Sequence, residues 1–344
     1  MVRKNKKYIY YIILAFITSA ALFSCNSYNV KEKDGNGNSL LHDAVLNGDI
    51  SLARKLIDNG ADINCTNEQC ITPIRLAAFL KRKEMVQLFI ERGVSVNYNQ
   101  KEARSKTSSL FGNNILKYPE KQSNFFLTFD AGDDNTNLGY ILDLLKKYHI
   151  TATFFITGNF LKKHPDDVKR IVAGGHITGN HTLSHSPDYK NQDHLLNELY
   201  ETEYIFKKVT GKDLTRIWRA PYLQHLEKPW MLRAARNLGY RHIDVSLYSK
   251  DWIEEGDKLY LSNDKFINLF KNSMDFKNLN RIDADGTNYL KFSRKSTDYH
   301  GIIMLMHTGS YRKNGDDFVY TLEDVILQLI SCGYLFDNCQ KFED

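Results

Sequence analysis

Residues 125–134, FFLTFDAGDD, constrain the fold of this chain more than any other stretch. Its apolar residues and the β-branched Thr128 make a short buried strand, which runs straight into acids and a glycine. The chain then alternates. Residues 138–148 have helical periodicity, 152–157 form a strand, 166–173 are helical, and 176–180 lead into a polar strand end. Farther on, residues 302–309 form a second buried strand with His307 near its end, 320–331 an amphipathic helix, and 334–336 a closing strand. This order predicts an α/β fold, a parallel barrel whose active-site groups collect at the C-terminal ends of the strands. Asp130 then follows Phe129 as a carboxylate whose pKa burial can tune, and Gly132 lets the backbone turn sharply or approach a ligand. A strand ending in Asp-x-Gly is by itself an ordinary turn, so its meaning depends on what recurs at later strand ends.

What recurs is histidine and acid. The strand end at 176–180 delivers Asn180-His181-Thr182-Leu183-Ser184-His185. His181 and His185 stand at i and i+4, on one face if the segment is helical, which is a spacing that can chelate one metal ion. Arg219-Ala220-Pro221-Tyr222 and Ser249-Lys250-Asp251-Trp252 follow, then Leu305-Met306-His307. Taken singly, Arg219 reads as a salt-bridge residue, Asp251 as a helix cap, and Trp252 and Leu305 as core.

In order, however, TFDxG, H-x-x-x-H, R-x-P, D-W and L-x-H resemble the polysaccharide deacetylase family, carbohydrate esterase family four, over about residues 124–336. The resemblance implies a distorted (β/α) barrel that removes acetyl groups from N-acetylated sugars in a glycan of peptidoglycan or chitin type. It implies Asp130 as general base, His307 as the acid that protonates the departing nitrogen, Arg219 as the partner orienting Asp130, and Asp251 as the partner keeping His307 charged. His181 and His185 match ligands of a divalent metal such as zinc. The Tyr222 backbone N–H matches an oxyanion donor, while Trp252 and Leu305 would line the pocket for the acetyl methyl group.

One departure matters: Ala131 stands where the family usually has a second acidic metal ligand, and a methyl group cannot coordinate. Asp133 or Asp134 would then have to swing in, or water and substrate complete the shell. Leu223 stands where many members have glycine, and its bulk would narrow the sugar groove. His42, His149, His164, His176, His194, His225, His242 and His300 match no catalytic motif and read as structural. Residues 253–300 read as an insertion at the barrel mouth without strong period, and Asp283-Ala284-Asp285-Gly286 as a turn with only a faint likeness to a calcium loop.

Ahead of the barrel, residues 38–64 and 71–97 match at an offset of 33. Leu41 falls on Ile74, Ala44 on Ala77, Ala53 on Val86, Leu56 on Phe89, Gly60 on Gly93 and Asn64 on Asn97. Period and pattern resemble ankyrin repeats, each a pair of short helices closed by a glycine. Two repeats are too few to stand alone, so a flanking segment or the barrel is expected to cover an open face. Exposed repeat loops would suit a protein partner, or the pair would be a spacer. The predicted organisation is 1–24 export signal, 35–100 ankyrin-like repeats, 101–123 linker and 124–344 deacetylase domain.

The basic start and the apolar run to Phe23 have the pattern of an export signal, and Leu22-Phe23-Ser24-Cys25 resembles a bacterial lipobox. Cys25 would carry the lipid, because the apolar run is short for a full membrane span. The expectation is an extracytoplasmic lipoprotein held to a membrane. Of 46 basic residues, Arg3, Lys4, Lys6 and Lys7 would leave with the signal, so 42 remain against 41 acidic, a balance that gives no reason to expect nucleic acid. In an oxidising exterior Cys65 with Cys70, and Cys332 with Cys339, are possible disulfides. Two rival functions stay open: a catalytically impaired glycan-binding protein on the same scaffold, and a docking lipoprotein that works through the ankyrin pair.

Overall fold

A computed structural model describes residues 29–97, 124–253, 262–273, 301–309 and 318–343. Cys25, the linker and Asp283–Gly286 lie outside the described residues. Among the described residues no helix is long and apolar enough to cross a membrane.

The two repeats form the helix pairs α1 (Leu40–Asn47) with α2 (Ile50–Asp58), and α3 (Pro73–Phe79) with α4 (Lys83–Glu91). Every residue pair matched above through Phe89 is buried, which is why the 33-residue period is visible in the chain. Gly60 and Gly93 take positive φ of 83° and 87° after α2 and α4, the left-handed stop that glycine adopts without strain.

The α/β part is a parallel sheet. Its strands are β1 (Asn124–Ala131), β2 (Thr153–Ile156), β3 (Ile177–Asn180), β4 (Ile217–Trp218), β5 (Arg241–His242), β6 (Leu247–Tyr248), β7 (Gly301–His307) and β8 (Leu335–Asp337). Their order is β5-β4-β3-β2-β1-β7-β6, with β8 alongside the first residues of β1. No pairing joins β5 to β6 among the described residues, so the expected barrel is an open, incomplete one. Helices α5 (Leu138–Lys147), α6 (Gly158–Lys163), α7 (Pro165–Ala173), α8 (Gln192–Thr210), α9 (Trp230–Asn237), α10 (Asn263–Ser273) and α11 (Leu322–Cys332) cover it. The 253–300 insertion, read as without strong period, contains an 11-residue helix whose Phe266 and Phe270 are buried.

β1 is central, which explains its unbroken apolar run: a strand covered on both faces has no solvent side to mark by alternation. The side chains still alternate. Phe125, Leu127, Phe129 and Ala131 pack outward into the large core beneath the helices, while Phe126 joins Phe155, Ile217, Ile243, Ile303 and Phe342 in a smaller core inside the curve of the sheet. Period two therefore sends Thr128 and Asp130 inward above Phe126, and Leu305 and His307 inward above Ile303. The inner core thus forms the floor of the strand ends.

Two expectations change here. Gly132 has no positive φ and open space where a Cβ would stand, so the turn after Asp130 does not require glycine. Neither expected cysteine pair is bridged among the described residues. Cys339 is buried in the inner core and Cys332 lies against Gln328 and Ser331 on α11, so nearness in sequence does not make either expected pair a bridge. The last long helix is also less amphipathic than expected, because the ankyrin pair covers its second face: α3 packs on α11.

Gly179 supplies a test of the inner core. A Cβ there would sit 2.8 Å from the Phe155 ring, whereas one at Gly132 would meet nothing within 4 Å. Gly179→Ala should destabilise the protein by about 1–3 kcal/mol in chemical denaturation, and Gly132→Ala should leave the midpoint nearly unchanged. Equal midpoints for the two variants would contradict this packing.

Candidate active site

The site is built from strand ends in register. On the parallel β1–β7 pair, Asp130 lies directly opposite His307 and Thr128 opposite Leu305. On the other side Ile156 of β2 pairs with Asn180 of β3, and Asn180 with Trp218 of β4, so His181 and Arg219 emerge at the same edge.

Asp130 is 5% exposed and needs its charge compensated. Arg219, itself fully buried, donates from Nη1 to Asp130 Oδ1 at 2.7 Å, and the same nitrogen reaches Thr128 Oγ1 at 3.0 Å. The guanidinium lies over the Phe155 ring, 4.2 Å from its centre, and its Nε donates to the Ile243 carbonyl. Burial alone would raise the Asp130 pKa, but the Arg219 charge beside it outweighs this and holds the carboxyl below its ordinary range. Thr128 is a site residue that its β-branched side chain had marked only as strand. Its hydroxyl donates to the Met304 carbonyl while accepting from Arg219, which locks the guanidinium between two strands.

His307 is held by a second acid. Asp251 accepts from the His307 backbone N–H at 2.7 Å and lies 2.9 Å from His307 Nδ1. Ser249 Oγ donates to the same carboxylate at 2.8 Å. Desolvation would lower the His307 pKa, yet the adjoining Asp251 charge and hydrogen bond leave it above the ordinary histidine value. The ring is 30% exposed, with Trp252 edge-on at 5.0 Å between centres, and Leu305 is buried on the same inward face of β7.

The two remaining histidines do not share a helix. Thr182 and His185 have left-handed φ of 69° and 53°, which no α-helix accommodates, so residues 181–185 form a loop. The loop nevertheless brings the rings within 4.8 Å of each other. Glu198 of α8 shapes it by accepting from the backbone N–H of Leu183 and Ser184 and from Ser184 Oγ, while Asn180 Oδ1 accepts from Thr182 N–H. No local signal could have revealed Glu198, because its partners lie 14 and 15 residues away. The Tyr222 ring lies tilted against His185 with 4.5 Å between centres, in an unusual turn in which both Tyr222 and Leu223 have positive φ, 50° and 55°. Leu223, at the position where glycine was expected, thus holds the conformation that glycine would adopt without strain.

The donor chemistry for a metal is half present. His181 Nδ1 lies 2.9 Å from the Arg219 carbonyl, an acceptor only, so this nitrogen carries the proton and Nε2 the lone pair. That Nε2 is 3.4 Å from Asp130 Oδ2. Desolvation lowers the pKa of His181 and, reinforced by His181, drives that of His185 down to about 3, so both imidazoles are neutral. The third corner is missing. Ala131 offers a buried methyl, Asp133 is paired with Lys163, and Asp134 accepts from Thr136, so neither neighbouring acid swings in. Among the described residues no three His, Cys, Asp or Glu side chains form a group able to hold a metal ion. Among the described residues a metal would meet a pair of imidazoles rather than a closed cage.

Both parts of the chain are similar to known proteins. The polysaccharide deacetylase family model matches residues 117–243, and the model for ankyrin repeats (many copies) matches residues 41–90. The peptidoglycan-N-acetylmuramic acid deacetylase PdaA of Bacillus subtilis is 31% identical over 252 residues, which are 71% of this chain and 81% of that protein. A peptidoglycan-N-acetylglucosamine deacetylase of Bacillus cereus is 36% identical over 135 residues, 39% of this chain and 48% of its own length. The solved structure of Bacillus subtilis PdaA, a family 4 carbohydrate esterase, aligns with a TM-score of 0.48 at 29% identity, covering 66% of this chain and 83% of that one. By its similarity over most of a relative's length, the chain belongs to the polysaccharide deacetylase family and carries a pair of ankyrin repeats ahead of its deacetylase domain.

Proposed function

We propose that this protein hydrolyses the N-acetyl group of amino-sugar residues in a glycan, with the N-acetylmuramic or N-acetylglucosamine units of peptidoglycan as first candidates. The observation that carries the reading is the facing pair at the strand ends: a carboxylate held by Arg219 opposite an imidazole whose protonated form Asp251 favours. Amide hydrolysis needs a base and an acid of this kind in one site. The resemblance to peptidoglycan deacetylases supports the choice of substrate.

Asp130 takes a proton from the water that adds to the acetyl carbonyl carbon. The Tyr222 backbone N–H stabilises the oxyanion that forms. His307 gives a proton to the sugar nitrogen as the C–N bond breaks, releasing acetate and a free amine. Trp252 and Leu305 enclose the acetyl methyl group, and Arg219 and Asp251 keep the two proton carriers in place and in charge state. His181 and His185 would hold a divalent metal such as zinc, which supplies Lewis-acid polarisation of the carbonyl and a lower pKa for water. Asp130→Asn and His307→Ala should each reduce acetate release from peptidoglycan or chitin oligomers by about 10²-fold or more. Undiminished release by Asp130→Asn would sink the mechanism.

The pH profile tests the pairing. The Asp130 pKa is depressed, so the base is ready at neutral pH and is lost only as the pH falls through that lowered value. The His307 pKa is raised, so the acid form is present below that value and lost as the pH climbs through it. Asp251→Asn removes the charge that raises it and should move the alkaline limb of kcat/KM to lower pH. An alkaline limb that stays in place would remove His307 from the role of acid.

Ala131 and the two-imidazole half-site favour one rival, a glycan-binding protein on an impaired scaffold. Glycan binding with neither metal uptake nor acetate release would establish it. Metal content measured in the intact protein and in His181→Ala bears on this independently of turnover.

We also propose that the protein is an extracytoplasmic lipoprotein anchored through Cys25, on the strength of the basic start, the apolar run and the Leu22–Cys25 motif. Cys25→Ala should shift it from the membrane to the soluble fraction. Unchanged membrane retention would point to a single-span anchor.

A further inference from the structure

The ankyrin pair ends against the deacetylase domain. In the first repeat His42 spans the joint between units, its Nε2 2.8 Å from the Ile71 carbonyl where the second repeat begins. Arg75 occupies the equivalent position one period of 33 residues later. With no further repeat to meet in the described residues, its buried guanidinium reaches the end of α11. Nε and Nη2 donate to the Ser331 carbonyl at 3.1 and 2.8 Å, and Nη1 to the Cys70 carbonyl at 3.2 Å. Ser331 lies in the last turn of α11, where carbonyls lack helical partners and the helix dipole favours a cation.

Asn97, the counterpart of Asn64, makes the second joint. Its Nδ2 donates to the Phe336 carbonyl at 2.9 Å and its Oδ1 accepts from Phe336 N–H at 2.8 Å, so one side chain satisfies both backbone groups of a β8 residue. Ion pairs close the edge. Lys81 meets Asp324 at 2.6 Å, and Lys83 meets Glu323, which also accepts from Lys147 and Tyr148 of the barrel. Beneath these polar contacts the buried apolar residues of the repeats and of the sheet's outer core form one continuous cluster.

We propose that α11 and β8 act as the third repeat of the ankyrin stack, so that the pair's partner is the chain's own deacetylase domain and the two unfold as one unit. Two repeats leave an apolar face that a neighbour must cover, and here α11 covers it. The inner helix α3 is thereby committed and is not a free docking face for another protein. The joint also bears on the site: β8 pairs with the start of β1, whose last residues include Asp130, and α11 follows β7, which ends in His307. The repeats brace the frame that carries the facing pair.

The test uses the full chain. Its three tryptophans, Trp218, Trp230 and Trp252, all lie in the deacetylase domain, so their fluorescence reports that domain alone while far-UV circular dichroism also senses α1–α4. Thermal unfolding should show coincident transitions by both probes, and Arg75→Ala and Asn97→Ala should each lower the fluorescence midpoint by about 5 °C. A fluorescence midpoint unmoved by either variant, with a separate earlier loss of helical signal, would overturn the proposal. Should the variants not accumulate as folded protein, hydrogen exchange of the unaltered chain decides. Amides of α2 and α4 that open together with those of β1 and β7 sustain it, and independent opening of the repeats refutes it.

Discussion

Arg219 sits wholly inside the curve of the sheet, and a guanidinium in that position requires an anion beside it. Asp130 is that anion. The pair ties β1 to the segment after β4, and the Phe155 ring and the Thr128 hydroxyl fix the geometry from below. Gly179 then leaves the room in which Phe155 can lie. The separate motifs are therefore one electrostatic obligation met by several strands. Removing either charge would leave the other buried and uncompensated, so the same contact that prepares a base also holds the strand ends together.

The second acid–base pair is arranged with the opposite sign. Asp251 gives His307 the negative neighbour that keeps an imidazole charged, whereas His181 and His185 are kept neutral by burial and by each other. Three histidines in one site thus have pKa values pushed in opposite directions, by surroundings rather than by residue type. Neutral imidazoles have lone pairs to give, and a charged one has a proton to give. Ala131 bears on only the first of these capacities.

The ankyrin pair changes the meaning of the C-terminal helix. By pattern alone α11 belongs to the barrel as one more amphipathic cover, yet its other face is occupied by α3 and its end by Arg75. A degraded repeat motif, arginine where the preceding repeat has histidine, is then an adaptation to a different neighbour. Repeat architecture and barrel share one apolar core.

The amino-acid sequence by itself determined the strands at 125–131, 153–156, 177–180 and 302–307, the helices at 138–147, 165–173 and 322–332 and the 33-residue period, because apolar period is a local property of the chain; Asp130, His181, His185, Arg219, Tyr222, Asp251, Trp252, Leu305 and His307 stood out only through the order of their motifs and the family it resembles. It did not determine Glu198, Thr128 as a partner of Arg219, the left-handed loop in place of a helix at 181–185, or the docking of α3 on α11. Those depend on groups far apart in the chain, and burial and register bring them together only when the sheet forms. The disulfides that sequence spacing allowed were absent for the same reason: whether two thiols bond depends on where their backbones lie. Tertiary structure also decided the protonation states of the site, since desolvation and neighbouring charge act through space and leave no trace in the order of residues.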